Sequence, residues 1–367
     1  MKFLLISRRL HNELSAPKCN YNLALALARL GADVQILTSI ISIPSKDLNK
    51  LRQAGVKIKK APDVFASRAI SPLFYTFFAE ANKEDRVVIG NGYTLRDNIT
   101  WIHYLRLGVL TYLSDFLSNG EKGKAHIQSY VEKAIFKSSE KLWAVSNLVR
   151  RLLIMEYGVP ESKVFVLHNG VDTEKYYALN DQEKSELRKG LNIPEDAKVM
   201  IFVGSVPSKK GFGRILYALK KLEEARERNY VLLAIGFKPT SDIVNLSSGL
   251  NVRFVGNLPE ENLINFYQVA DIFILPSYYD AFPLASLEAM ASGAIPIVTP
   301  AVGTSDIIVS RVNGFVIKDE EELIKILRSM DEYLLAELRK NAIATAKMWS
   351  WDNVAMTLKN FILTTRP

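Results

Sequence analysis

The sequence predicts an α/β protein of two doubly wound domains, each built around a parallel sheet. Three observations carry that expectation. Short β-branched apolar runs alternate with amphipathic helical stretches from end to end, the pattern that strand–helix–strand crossovers leave in a chain. The alternation halts in a polar stretch from Thr173 to Lys198 and then restarts. At 367 residues, the chain also exceeds the size that one hydrophobic core usually serves.

In the first half, strands are expected at Phe3–Ile6, Val34–Leu37, Val87–Ile89, Ile99–His103, Leu142–Val145 and Val164–Leu167. Helices intervene, notably Asn20–Leu30 and Ser146–Tyr157, the latter with Ser146 as a suitable N-cap. The turn His168-Asn-Gly-Val-Asp172 carries an Asn-Gly signal. The charged, poorly periodic residues after it place the linker at Thr173–Lys198. The second half repeats the scheme with strands Val199–Val203, Val231–Ile235, Val252–Val255, Ile272–Leu275, Ile295–Val298 and Phe315–Ile317. Its helices are Arg214–Arg226, Glu260–Val269, Leu284–Ala291, Glu320–Ser329 and Glu332–Met348, and a last helix starts near Trp351. Domains are therefore expected at 1–172 and 173–349. Open α/β sheets bind ligands outside the carboxyl ends of their strands, so those ends are expected to face a cleft between the two halves.

Composition narrows the functional classes. No run of eighteen apolar residues suggests a transmembrane helix, and Met1–Ser7 reads as one strand rather than a signal peptide. Cys19 is the only cysteine, and His11, His103, His126 and His168 are scattered, so no metal-ligand spacing is visible. Residues 1–170 hold 24 Lys/Arg against 14 Asp/Glu, an excess of +10, while residues 171–367 hold 23 against 25. The first half is thus suited to an anionic partner. No nucleic-acid module is present, which leaves an anionic membrane surface or a merely basic soluble face. The aromatic run Ser71–Phe78 reads either as a lipid or apolar-acceptor contact or as a buried element.

The most informative segment is Pro276–Gly293. It sets Asp280 at the mouth of a strand and Glu288 eight positions on, inside the next helix. Pro283 suits the first helical position. The N–H groups of Leu284 to Ser286 then lack intrahelical acceptors and form a partly positive end suited to phosphate. A carboxylate further along the helix can reach a sugar hydroxyl beside that phosphate. An ordinary strand, loop and helix would also produce this spacing. A second phosphate candidate is Val203–Gly213, a strand–loop–helix with Lys209, Lys210 and Gly211 but without Walker spacing.

Together these segments resemble the GT-B retaining glycosyltransferases of family 4, the glycosyl transferases of group 1. The family's donor motif is Glu, seven residues, Glu, followed by Ala-Met-Ala and a Gly-x-Pro strand. Here it reads Asp280, seven residues, Glu288, Ala289-Met290-Ala291 and Gly293–Val298. The resemblance runs along nearly the whole chain, most specifically from 199 to 300, and implies two Rossmann-like domains facing across a cleft. The N-terminal domain would bind the acceptor and the C-terminal domain the donor, with the last helix (350–367) crossing back to the N-terminal domain.

By resemblance, Gly204, Lys209 and Lys210 would lie at the donor diphosphate, with Ser205 standing where the family usually has Arg. Asn257 and Leu258 would meet the base, Phe282, Leu284 and Ala285 would line the donor, Glu288 would bind ribose, and Asp280 would hold sugar hydroxyls. His103 would contact the transferred sugar. The family's glycine pair after the first strand is missing from Ser7–Asn20. Arg8 and Arg9 there read either as phosphate or acceptor contacts or as solvated loop residues. The implied activity is metal-independent transfer of a sugar from a nucleotide sugar to a glycan or lipid-linked acceptor, with retention, no cofactor and no covalent nucleophile. The implied location is cytoplasmic or peripheral on a membrane's inner face. An epimerase of the same fold and a degenerate sugar-nucleotide-binding protein are the alternatives.

Overall fold

The computed structural model describes residues 1–12, 15–63, 71–92, 94–226 and 230–365, and within these the side chains of all but 15 and 71–74. The chain divides into two compact units, Met1–Gly170 with Trp349–Pro367, and Val171–Met348.

The first unit holds β1 (Lys2–Ile6), β2 (Arg9–Leu10), β3 (Asp33–Thr38), β4 (Ile40–Ile41), β5 (Lys57–Lys60), β6 (Val87–Gly90), β7 (Ile99–Ile102), β8 (Lys141–Ala144) and β9 (Val164–Val166). Seven of these form one sheet in the order β5-β3-β1-β6-β7-β8-β9, and β2 and β4 form a separate ribbon. Every pairing in the main sheet is parallel. β1 lies inside the sheet, between β3 and β6, and Phe3, Leu4, Leu5 and Ile6 are all buried, as a strand covered on both faces requires. The edge strand β5 reads Lys-Ile-Lys-Lys, with its lysines exposed. Charge at that edge discourages pairing with another chain, and it also hid the strand from a reading based on apolar runs.

One face of this sheet packs Leu4, Ile6, Leu37 and Val88 against Tyr75 and Ala79 of helix Ser71–Asn82. Tyr75 is thus a core residue of the aromatic run, whereas Phe77 is 70% exposed; Ser71–Phe74 lie outside the described side chains. Elsewhere Trp101 stacks on Trp143 at 4.1 Å, and Phe165 stacks on Phe361 at 4.1 Å. Phe361 belongs to the last helix, Trp351–Thr365, which is therefore part of the first unit. Arg29 pairs with Asp352 at 2.7 Å, and Lys359 donates to the Leu30 carbonyl at 3.1 Å. Gly170 lets the chain pass this helix, since a Cβ there would lie 2.8 Å from the Trp351 ring.

The second unit holds β10 (Lys198–Val203), β11 (Tyr230–Ile235), β12 (Val252–Gly256), β13 (Ile272–Leu275), β14 (Ile295–Val298) and β15 (Phe315–Val316). They form one parallel sheet in the order β12-β11-β10-β13-β14-β15. The chain leaves β10 to one side through β11 and β12, then returns to build the other side from β13. The topological switch point, where ligands of such sheets bind, is therefore between β10 and β13. In the first unit it is between β1 and β6.

The expected linker at Thr173–Lys198 is corrected. It contains helix Asp181–Gly190, closed by a capping box in which Asn180 and Glu183 bond each other's backbone N–H groups. Lys184 and Arg188, one turn apart and buried, both pair with Asp271 at 2.7 Å. Burial alone would raise the Asp271 carboxyl, but the attraction of both cations outweighs it and holds the group below its usual range. The face this helix buries is ionic, so no apolar period announces it. Helix Asn119–Ser138 is also absent from the sequence reading, because it buries few large apolar residues, among them Ile135 and Phe136; its capping box, Ser118 with Glu121, is the available signal.

Candidate active site

Two loops meet at the switch point of the second unit. The first runs from β10 to helix Phe212–Glu224 and carries Gly204, Ser205, Lys209 and Lys210. The second runs from β13 to helix Leu284–Ala291 and carries Asp280. Their backbones are tied together. The N–H of Tyr278 donates to the Lys209 carbonyl at 3.1 Å, and the Ser277 hydroxyl donates to the same oxygen at 3.2 Å. Arg214, which the sequence did not single out, donates to the Pro276 carbonyl at 3.4 Å. Gly211 makes this closeness possible: it has φ +74°, and a Cβ there would lie 2.0 Å from the Pro276 carbonyl oxygen.

Across the junction Lys210 and Asp280 form an ion pair. The stem of Lys210 crosses Gly204, where a Cβ would stand 3.2 Å from the lysine Cγ. Asp280 is held by its backbone: its N–H donates to the Ala301 carbonyl at 3.0 Å, and its carbonyl accepts from Gly303 at 2.8 Å. A cation and a carboxylate, both partly open, thus face each other at the carboxyl edge of the sheet.

Helix Leu284–Ala291 starts one residue after Pro283, which caps it instead of forming its first turn. Leu284 is buried and Ala285 half-buried. Phe282 is also buried, so it shapes the loop. Glu288 is only 6% exposed, and Tyr267 donates its hydroxyl to one Glu288 oxygen at 3.1 Å. Burial, reinforced by the Glu288 charge, raises the Tyr267 phenol well above its ordinary range, so it remains a donor. Tyr267 is 21 positions from Glu288, a pairing no local pattern encodes. Asn257 is exposed and Leu258 half-buried, just past β12. The ends of β10, β11 and β12 meet through glycines: Gly204 donates to the Ile235 carbonyl at 2.9 Å and Gly236 to the Gly256 carbonyl at 2.8 Å. A Cβ at Gly236 would come 3.1 Å from the Gly204 backbone.

In the first unit, Arg8 pairs with Asp63 at 3.3 Å, and Arg9 lies in β2, paired in register with Ile40 of β4. The glycine-free loop is thus partly a strand ribbon. His103 follows the last residue of β7, its ring 4.4 Å from that of Trp101. Its Nε2 is buried and has no hydrogen-bond partner among the described residues. Burial pushes its pKa down to about 3, so the imidazole is neutral and can offer one hydrogen bond but no charge. Ser146 caps helix Asn147–Met155 by accepting from the Val149 N–H at 3.2 Å. His168 bonds the Val145 carbonyl at 2.9 Å through Nδ1. Among the described residues no three His, Cys, Asp or Glu side chains converge, and no helix is long and apolar enough to cross a membrane.

Comparison with known proteins bears on the family and the fold. The model for glycosyl transferases group 1 matches residues 183–349, and that for glycosyltransferase family 4 matches residues 17–175. An uncharacterised glycosyltransferase of Methanocaldococcus jannaschii is 28% identical over 229 residues, which is 59% of this chain and 58% of that relative's length. The match therefore takes in less than two thirds of that relative. Sucrose-phosphate synthase from Thermosynechococcus elongatus superposes with a TM-score of 0.75 at 18% identity, covering 99% of this chain and 98% of its own. Anabaena HepE, in complex with UDP and glucose, gives 0.72 at 15% identity over 100% of both chains. At these identities the structural likeness concerns the fold.

Proposed function

Starting from a chain that belongs to the glycosyl transferases of group 1 and has their GT-B fold, we propose that it moves a sugar from a nucleotide sugar to a hydroxyl of a glycan or lipid-linked acceptor, with retention of configuration and without a metal. One observation carries the reading: Lys210 and Asp280 pair at the switch point of the second unit, in the two loops that lead into helices Phe212–Glu224 and Leu284–Ala291. The diphosphate would lie against the N–H groups of Leu284 and Ala285 and take Lys210, with Lys209 beside it, as counter-charge. Such preformed donors stabilise negative charge as it develops on the leaving group. Asp280 would accept from sugar hydroxyls, and Glu288, oriented by Tyr267, from the ribose. His103, held neutral by desolvation of its ring, can donate one hydrogen bond at the carboxyl end of β7. The family resemblance supports a front-face displacement in which the departing phosphate takes the acceptor proton. HepE is seen with UDP and glucose, which supports the same class of donor here. None of the matched proteins named above is an epimerase.

The decisive experiment incubates the full chain with radiolabelled UDP-, ADP- and GDP-sugars, with and without excess EDTA. Release of sugar to acceptor or water, unaffected by EDTA, is the expected result. Transfer that stops with EDTA and returns with Mg²⁺ refutes the metal-free part.

Peripheral membrane association through the first unit belongs to the same proposal. It is supported by that unit's basic excess and by exposed Lys50, Arg52, Lys57, Lys59, Lys60 and Phe77. Each cation near an anionic bilayer contributes on the order of 1 kcal/mol, and salt screens that attraction. Co-sedimentation with phosphatidylserine vesicles at low salt, lost at high salt, is expected. A chain that stays in the supernatant at low salt refutes it.

A further inference from the structure

We infer that the Lys210–Asp280 ion pair is a partner-exchange device that makes the site hold a nucleotide sugar in preference to the bare nucleoside diphosphate. The inference rests on the donor-site reading above and concerns what happens to the pair when the donor arrives or leaves.

The two partners differ in freedom. Asp280 has a short side chain on a backbone fixed from both sides, by Ala301 and by Gly303. Lys210 has a long stem lying over Gly204, and its ammonium is the part able to swing. A diphosphate competes with the aspartate for that one ammonium. When it wins, Asp280 loses its counter-ion while its side chain is only 16% exposed. A carboxylate withdrawn from water needs hydrogen bonds or a cation.

A nucleotide sugar brings the replacement with it. Its hydroxyls donate to Asp280 as its phosphates take Lys210, so both charges remain satisfied. A nucleoside diphosphate offers oxygens to Lys210 and nothing to Asp280. After transfer, the product is therefore the ligand that leaves a carboxylate unmatched, and re-formation of the ion pair favours its departure. The loops on either side do not need to move, because their mutual bonds through Lys209, Ser277 and Tyr278 are independent of the pair.

The test is calorimetric titration of the full chain with UDP, ADP and GDP and with UDP-glucose, ADP-glucose and GDP-mannose. It compares wild type with Asp280→Asn, and with Asp280→Ser as a second neutral variant; circular dichroism checks the fold of each. Neutralising Asp280 frees Lys210, so affinity for the diphosphate should rise about 5- to 30-fold, while affinity for the matching nucleotide sugar stays level or falls. The preference for sugar nucleotide over diphosphate should shrink accordingly. Diphosphate affinity unchanged or lowered in both neutral variants overturns the exchange device and leaves the donor site standing. Absence of saturable binding by all six ligands to wild type and variants overturns the donor site itself, and the device with it.

Discussion

Gly211→Ala is a perturbation whose cost follows directly from the geometry. Gly211 caps helix Phe212–Glu224 with φ +74° and ψ 25°, a left-handed conformation that costs an L-residue roughly 1–2 kcal/mol. The added Cβ would also sit 2.0 Å from the Pro276 carbonyl oxygen and 2.8 Å from its carbon. No rotamer relieves a contact made by Cβ with backbone, so the loops must separate. Forced expansion of a packed junction costs about 1–3 kcal/mol. The sum, about 2–5 kcal/mol, corresponds to a fall of roughly 5–15 °C in the unfolding temperature of a domain this size. Since that junction holds Lys210 and Asp280 within reach of one donor, affinity for the nucleotide sugar should fall as well. Gly213→Ala is the control. It lies in the same helix, nothing stands within 4 Å of its Cβ position, and alanine favours a helix over glycine by up to about 1 kcal/mol. Thermal melting by circular dichroism, with nucleotide titration, reads both. A Gly211→Ala chain that melts within about 1 °C of wild type and binds nucleotide normally would refute the argument.

Three further outcomes are expected. Glu288→Gln should weaken nucleotide-sugar binding by roughly 1.5–3 kcal/mol with little change in melting, because Tyr267 can still donate to the amide oxygen; unchanged affinity by calorimetry removes Glu288 from the site. Asp271→Asn leaves Lys184 and Arg188 buried without their counter-charge and should cost about 3–5 kcal/mol in urea unfolding; a loss below about 1 kcal/mol would show that the pair is not holding helix Asp181–Gly190. Burial raises Asp97 to about 7 against the pull of the Thr94 and Thr100 hydroxyls. Its folded pKa lies above the unfolded value, so its contribution is complete below about pH 4 and is lost as pH rises through about 7. Asp97→Asn should therefore match wild type near pH 4 and melt higher at pH 8, and equal melting at both pH values contradicts the assignment.

The sequence by itself determined a good deal. Buried parallel strands read as unbroken apolar runs, because both faces of such a sheet are covered; β10, β13 and β14 were legible for that reason. Helix Leu284–Ala291 was legible because Pro283 and Gly293 bracket it. Asp280, Glu288 and the Lys210-Gly211 step were legible as a motif. Tertiary structure decided what depends on charge meeting charge, or on order in space. Helix Asp181–Gly190 reads as linker in the sequence because its buried face is Lys184 and Arg188, and only Asp271, far along the chain, makes that face buriable. Edge strand β5 was invisible because a strand whose flank meets water can be written in lysine. The strand order that puts the switch point between β10 and β13, the capture of Lys210 by Asp280 and the orientation of Glu288 by Tyr267 are all long-range pairings. Local periodicity carries no record of them, since each exists only once separate segments have packed side by side.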